Sequence, residues 1–321
     1  MKKLAFSILL ALFATEMSAQ ESQTGYNFLR LPMGAHAAAL GGDNITLIED
    51  DEALIFHNPA LLSSVSDKTI NLNYMNYMSG VNIASASFNR IVKEKASWAV
   101  SAEYIDYGKM KQTDENNSQM GEFSAKDIAL TGYFSYMLGE RIAGGIAAKF
   151  ITSYIGDYNS IAVGVDLGLN YYDPEREWSI SAVAKNLGGQ LKAYDEEYEK
   201  MPIDLQVGVS KRFVNTPFRV SATLVNLNHW DSGLKNHAVI GADLLLSESI
   251  WVGAGYNFRR ADEMKIVNSD DADNSDNSGS SHGAGWSFGG GINLERFHLN
   301  IAYGKYHVSS SSLLLNVGYK L

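Results

Sequence analysis

Seven histidines (His36, His57, His229, His237, His282, His298 and His307) and abundant serine are the residues of this chain best suited to catalysis. A hydrolase built from them needs a hydroxyl nucleophile and a base in hydrogen-bond reach, with a third group orienting the base. The chain has neither a Gly-x-Ser-x-Gly elbow nor a His-Glu-x-x-His zinc signature. His307, beside the serines at 309–312, comes nearest to such a pairing, and a histidine at a loop edge is the simpler reading. Asp270, Asp271, Asp273 and Asp276 carry oxygen ligands of the kind calcium takes. Their spacing departs from the EF-hand loop, and the Ser/Asn/Asp/Gly run at 268–281 reads as a solvated segment. Gly289-Gly290-Gly291 falls inside a strand pattern, where it makes room for something packed against it or relieves curvature. The chain contains no cysteine, which removes disulfides, cysteine-bearing zinc sites and a lipid-anchored N-terminal cysteine. The expectation is a non-enzyme with no catalytic residues, no metal and no cofactor.

The elements that hold these residues are therefore more informative than the residues themselves. A net charge of -10 leaves no basic stripe to neutralise phosphates, so no nucleic-acid partner is expected. Twenty-nine Gly, 17 Tyr and 13 Phe beside only 5 Pro favour a sheet whose two faces meet different surroundings. Lys2 and Lys3, an apolar run at 4–14 and Met17-Ser18-Ala19 form a secretory signal peptide over 1–19, with cleavage before Gln20. Downstream of it no apolar run reaches 18 residues, so no transmembrane helix is expected.

From residue 68 to the end, short segments alternate strictly between apolar and polar. Ile161, Val163, Val165, Leu167, Leu169 and Tyr171 point one way, against Ser160, Ala162, Gly164, Asp166, Gly168 and Asn170. Residues 203–213 and 312–321 repeat the pattern. Strands are expected near 68–78, 81–92, 96–107, 127–138, 142–154, 160–171, 178–187, 203–214, 218–227, 236–246, 250–259, 285–294, 297–307 and 310–321. A soluble sandwich would alternate too, but these strands reach the roughly 9–11 residues needed to cross hydrocarbon at a tilt. The connections decide the matter. One set is short (93–95, 139–141, 173–177, 215–217, 247–249, 295–296), whereas the other includes 108–126, 188–202 and 260–284. Short turns at one rim and long loops at the other are the pattern of an outer-membrane barrel. The expected fold is an all-β, transmembrane antiparallel β-barrel of about fourteen strands, with long loops extracellular and both termini on the periplasmic side. Tyr104, Tyr107, Tyr154, Tyr171, Tyr172, Trp178, Trp230 and Trp251 fall near strand ends, as an interfacial belt would. Asp166, Lys185, Asp204, Arg212, Arg219 and Asp243 fall on the inner face, implying a wet or plugged lumen.

Residues 20–67 differ in kind. Very small residues run from Gly34 to Gly42, an acidic cluster follows at 49–52, and then comes Ile55-Phe56-His57-Asn58-Pro59-Ala60. Small residues suit close packing and Asn-Pro marks a turn or helix start, so this segment reads as a plug before a barrel of 68–321. Here the residues carry a resemblance. Gly34, Ala35, Gly41, Gly42, Asp50, Asp51, Asn58, Pro59 and Ala60 together resemble the N-terminal signature of FadL-like outer-membrane barrels. That superfamily implies fourteen strands with the N-terminal segment lodged in the lumen. Within it the chain most resembles the PorQ family of the type IX secretion system of Bacteroidetes, through 25–32, 35–45, 56–62, 171–175 and 185–189. One departure is the last residue, Leu321, where such barrels usually end in an aromatic.

The PorQ resemblance implies a barrel that anchors a cell-surface attachment complex for secreted proteins with C-terminal sorting domains. Its implied partners are outer-membrane lipid and a PorZ-like surface protein, with PorU-like and PorV-like components beside it. The contact surface would be the long-loop rim at 108–126, 188–202, 228–235 and 260–284, with Tyr194 and Trp230 as candidate anchors. The alternative is a FadL-type channel for hydrophobic small molecules, which requires an apolar site beneath the long loops and an opening or kink in the wall. A pure scaffold would instead have its lumen filled.

Overall fold

Period-two alternation produces fourteen strands, and the chain closes them into one barrel. A computed structural model describes residues 24–114, 116, 118–230, 233–247, 249–264, 283–306 and 310–321. The expected signal peptide, His282, His307 and the acidic run at 268–281 lie outside the described residues. The strands are β1 (Thr69–Asn76), β2 (Asn82–Ile91), β3 (Ala96–Thr113), β4 (Gln119–Met137), β5 (Ile142–Ile155), β6 (Tyr158–Asp173) and β7 (Trp178–Lys192). They continue as β8 (Asp204–Arg212), β9 (Phe218–Leu224), β10 (Ala238–Leu245), β11 (Ile250–Asn257), β12 (Trp286–Asn293), β13 (Phe297–Gly304) and β14 (Ser312–Lys320). Each pairs antiparallel with its neighbour, and β14 closes on β1 with Asn73 opposite Asn316.

Which face is buried settles what surrounds the barrel. On β6 the apolar Val163, Leu167 and Leu169 are exposed, while Ser160, Asp166 and Asn170 are buried. Leu72, Val100, Leu130, Ile146, Val207, Ile240, Leu299 and Leu315 continue the exposed apolar belt around the wall. A soluble sheet buries its oily side, and contiguous apolar patches on soluble monomers rarely exceed a few hundred Å². An apolar exterior over a polar interior is the arrangement of a barrel that spans lipid. No helix among the described residues is long and apolar enough to cross a membrane.

The wall is uneven in height. Strands β3 to β7 have 14–19 residues, whereas β8 to β14 have 7–9. Most of the expected loop at 108–126 is therefore strand. Its outer portion was illegible because above the lipid both faces meet water and the apolar signal stops. The expected end of β7 at 187 is also too early. Lys185 and Asn186 together oppose Asp166 in a bulge, with Asn186 at φ 58 and its N–H donating to Asp166 Oδ1 (2.7 Å). That extra residue breaks the alternation.

Two side chains expected at the interface face the other way. Tyr107 lies at a register shift in β3 and turns its hydroxyl inward to Asp127 (2.6 Å). Trp251 alternates with exposed Ile250 and Val252 and is only 2% exposed, inside the barrel. Of the six charges expected inside, Asp166, Lys185, Asp204, Arg219 and Asp243 are buried; Arg212 is exposed, because β8 ends there at the rim.

The barrel's own ends share the short-turn rim, where Leu321 N–H donates to the Lys68 carbonyl (3.1 Å). The segment ahead of β1 starts at the opposite rim. Thr24 forms a parallel bridge with Lys200, in the connection between β7 and β8, and the chain then threads the lumen down to Lys68. Strand parity fixes where a barrel begins and ends, and says nothing about a segment that precedes it. In the lumen the segment folds into α1 (Ala35–Ala39) and three 3-10 turns, Asn27–Arg30, Glu52–Phe56 and Pro59–Ser64.

Candidate functional site

The signature residues between Gly34 and Ala60 build the plug and seat it. The Gly34 N–H donates to His57 Nε2 (3.2 Å), which requires that nitrogen to be unprotonated; burial correspondingly holds His57 well below the ordinary imidazole value. Ala35 and the rest of α1 are buried against β11, β12 and β13. Gly41 and Gly42 have φ of 103° and 100°, a region that side chains other than glycine rarely adopt. The Gly41 N–H reaches Ser287 Oγ (2.9 Å), tying this turn to the wall.

Asp50 accepts from the Ser66 N–H (2.6 Å) and clips the foot of the plug. Asp51 accepts from the Ala53 N–H (2.9 Å), capping one turn, and from Asn300 Nδ2 of β13 (3.1 Å). Asn58 caps the next turn through the Ala60 N–H (2.9 Å), with Pro59 in the first position. Its amide also donates to the Ile45 carbonyl (3.1 Å). These polar residues are occupied as brackets. The wall makes room for them: a side-chain carbon at Gly145 would run into Pro59 and Ala60, and one at Gly289 into Ala39. The Gly289 reading from sequence is thereby explained.

The plug is fastened to the wall by a buried ionic cluster. His36 of α1 places Nδ1 2.8 Å from Glu49 Oε2 and Nε2 2.8 Å from Asp243 Oδ2 of β10. Arg219 of β9 reaches Glu49 Oε1 at 2.5 Å and pairs with Asp243 through Nε (3.1 Å) and Nη2. The His36 ring stacks on Trp251 of β11, centroids 3.5 Å apart. A histidine and two carboxylates meeting within 4.8 Å invite comparison with a metal centre. The Arg219 guanidinium already supplies the positive charge between the carboxylates, so the arrangement is a salt-bridge cluster. Its members were individually visible in the sequence, as a histidine, part of an acidic cluster and two inward charges; Trp251 was misplaced in the belt. Nothing in the spacing announced that they meet.

Two further plug carboxyls are buried. Burial pushes Asp51 up to about 6 and Glu52 up to about 8. Glu52 is 1% exposed, and the Ser87 side chain beside it, which favours the charged form, does not outweigh that burial.

Above the plug the inner wall changes character. Towards the long-loop rim Met75, Ile83, Ile105, Ile151 and Leu314 point inward and are at most 2% exposed. They enclose an apolar chamber occupied by the chain itself, with Phe28 and Met33 buried and Leu29 and Leu31 packed beside them. A polar cavity of about 10 Å³ remains between this segment and β7–β8, lined by Arg30, Asp43, His57, Lys185, Asp204 and Gln206. It has room for about one water.

Beside the chamber the wall is interrupted. β8 pairs with β7 only over Trp178–Lys185, leaving the remainder of β7 bonded to β6 alone. The gap is covered by residues 199–202 and the start of the plug. Asn186 Nδ2 donates to the Pro202 carbonyl (3.0 Å), Glu199 N–H to Gln190 Oε1 (2.6 Å) and Gly25 N–H to the Lys200 carbonyl (3.0 Å). Tyr194, a candidate partner anchor, is turned inward, its hydroxyl donating to Ser153, which donates to Asp127. Trp230 is 56% exposed at the rim and stacks on His237, centroids 4.5 Å apart.

No family model matches the chain, and neither does any curated protein. Solved structures do. The Pseudomonas putida toluene transporter TodX aligns over 90% of this chain and 97% of its own, with 14% identity and a TM-score of 0.56. A Pseudomonas aeruginosa FadL homologue aligns over 90% and 98%, with 9% identity and a TM-score of 0.55. The CymD monoaromatic hydrocarbon channel aligns over 90% and 97%, with 12% identity and a TM-score of 0.58. The chain has the FadL-type barrel fold. At these identities the likeness is one of fold, and the PorQ branch suggested by the sequence has no counterpart among these three. Within a FadL-type barrel, the chamber, the interrupted wall and the plug are the features of this chain that bear on use.

Proposed function

We propose that this protein is an outer-membrane channel for hydrophobic small molecules, with its long loops facing outward. The observation that carries this reading is the apolar inner wall of Met75, Ile83, Ile105, Ile151 and Leu314 beneath the long-loop rim. A lumen that only conducted water would have no use for it. In the described state residues 26–33 occupy the chamber, so a ligand enters by displacing Phe28 and its neighbours. The break between β7 and β8 lies beside that segment and offers a route towards the lipid. The hydrocarbon channels of the same fold give this reading its ligand class. Equilibrium dialysis of labelled toluene against the purified barrel tests it. Saturable binding is expected, weakened by Ile105→Asn and strengthened by Phe28→Ala. Absence of saturable binding to both wild type and Phe28→Ala would contradict it.

A second reading has one observation in its favour. The plug fills the lumen and is bolted to the wall through Arg219 and Asp243, as suits a scaffold in a type IX surface-attachment complex. Trp230 at the rim would then meet a PorZ-like partner. Copurification of such a protein, lost in Trp230→Ala, supports it. Unaltered surface attachment of sorting-domain proteins after deletion of the gene would rule it out.

A further inference from the structure

We propose that a proton on His36 latches the plug to the barrel, and that its removal releases the plug to move. The geometry favours the proton. Both ring nitrogens sit 2.8 Å from carboxylate oxygens, Glu49 on one side and Asp243 on the other. A neutral imidazole has one N–H and donates to one carboxylate, its other nitrogen then facing Asp243 and, at 3.2 Å, the Arg219 Nη2 donor; only imidazolium donates to both carboxylates. The ring cannot rotate to another partner, because it is fully buried and lies flat on Trp251.

The charge count agrees. The charged and titratable groups facing His36 are Glu49 and Asp51 from the plug, Arg219 from β9 and Asp243 from β10; of these Glu49, Arg219 and Asp243 form the cluster with it, and Trp251 of β11 adds an uncharged ring. With His36 protonated the cluster holds two positive and two negative charges. Without that proton a net negative charge is left buried between plug and wall. Burial, the largest single influence, pulls His36 down, but Glu49 and Asp243 outweigh it, and the ring is held above its ordinary value. The latch is therefore closed below that elevated value and opens as pH rises through it. Glu49 is the member of the pair that belongs to the plug, held well below the usual carboxylate range by His36 and Arg219 despite its burial. It stays charged throughout.

The absence of native cysteine makes a direct test available. Thr46→Cys places one thiol on a fully buried plug residue three positions from Glu49. Maleimide labelling of the folded barrel in detergent, normalised at each pH to the denatured protein, should stay protected at pH 6–7. It should lose protection through one inflection above the ordinary imidazole range. His36→Gln in the same background should be accessible at pH 7 and show no inflection. Glu52 also titrates on this side of neutrality, so Glu52→Gln should keep the inflection. If the cysteine variant fails to fold, Trp251 reports the same event, since a stacked imidazolium quenches indole emission. Measured in a Trp230→Phe background, because Trp230 stacks on His237, the pH-dependent emission should vanish in Trp251→Phe and in His36→Gln. Protection unchanged from pH 6 to 10, or an inflection that survives His36→Gln, would overturn the latch.

Discussion

His36 of the plug and Trp251 of the wall lie face to face, with ring planes within 6° and centroids 3.5 Å apart. They are 215 positions apart in the chain, by subtraction of their numbers. One contact thus joins the segment that fills the lumen to the strand that contains it. The carboxylates either side of it and Arg219 make this junction an ionic attachment between the two.

Removing Arg219 should therefore be costly. Arg219→Met leaves Glu49 and Asp243 sharing a single imidazolium, and an uncompensated buried charge typically costs about 3–5 kcal/mol. The expected result is a lower urea midpoint for loss of the folded barrel's gel mobility. The double variant Arg219→Met/Asp243→Leu should recover part of that loss, because the orphaned charge goes with it.

Glu52 predicts a separate dependence on pH. Its carboxyl is pushed up to about 8 by burial, from an ordinary value of 4.5. The folded state thus binds a proton that the unfolded chain releases, so stability is fully present below about 4.5 and falls as pH rises towards 8. Glu52→Gln should flatten that slope in urea titrations between pH 5 and 8, with a gain of about 1–3 kcal/mol at the upper end. An unchanged slope would mean that Glu52 is already charged.

The close approach of plug and wall gives a steric prediction. Gly145→Val projects a side chain into Pro59 and Ala60. Overpacking of this kind typically costs about 1–3 kcal/mol. Because the barrel can keep its own hydrogen bonds, the loss should appear as a displaced plug: a Thr46→Cys probe should become labelled at pH 7 while barrel mobility on a gel is retained.

Much of this architecture was legible in sequence, for identifiable reasons. Ser160–Tyr171 alternates because its two faces meet lipid and plug, and the strand count follows from repeating that contrast. Asn58-Pro59 announced a capped turn, and Asn58 does cap it. What escaped was structure without such contrast. The outer halves of β3 and β4 have water on both faces, and the Lys185–Asn186 bulge interrupts the period that would reveal β7. The ionic cluster escaped for another reason. His36, Glu49, Arg219 and Asp243 meet only through barrel closure, which places β9 and β10 around a segment some 170 residues earlier. The apolar chamber was hidden as well, because Ile83, Ile105 and Ile151 look like lipid-facing residues until the register shows them pointing inward.

The central claim is that residues 26–33 leave the chamber to admit an apolar ligand, and a reversible tether tests it most directly. Thr24 and Lys200 are bridge partners at the rim, in a chain without native cysteine. In the Thr24→Cys/Lys200→Cys variant, toluene binding should be abolished when the disulfide is oxidised and restored by reductant. Equal binding in both states, or none in either, would contradict the account.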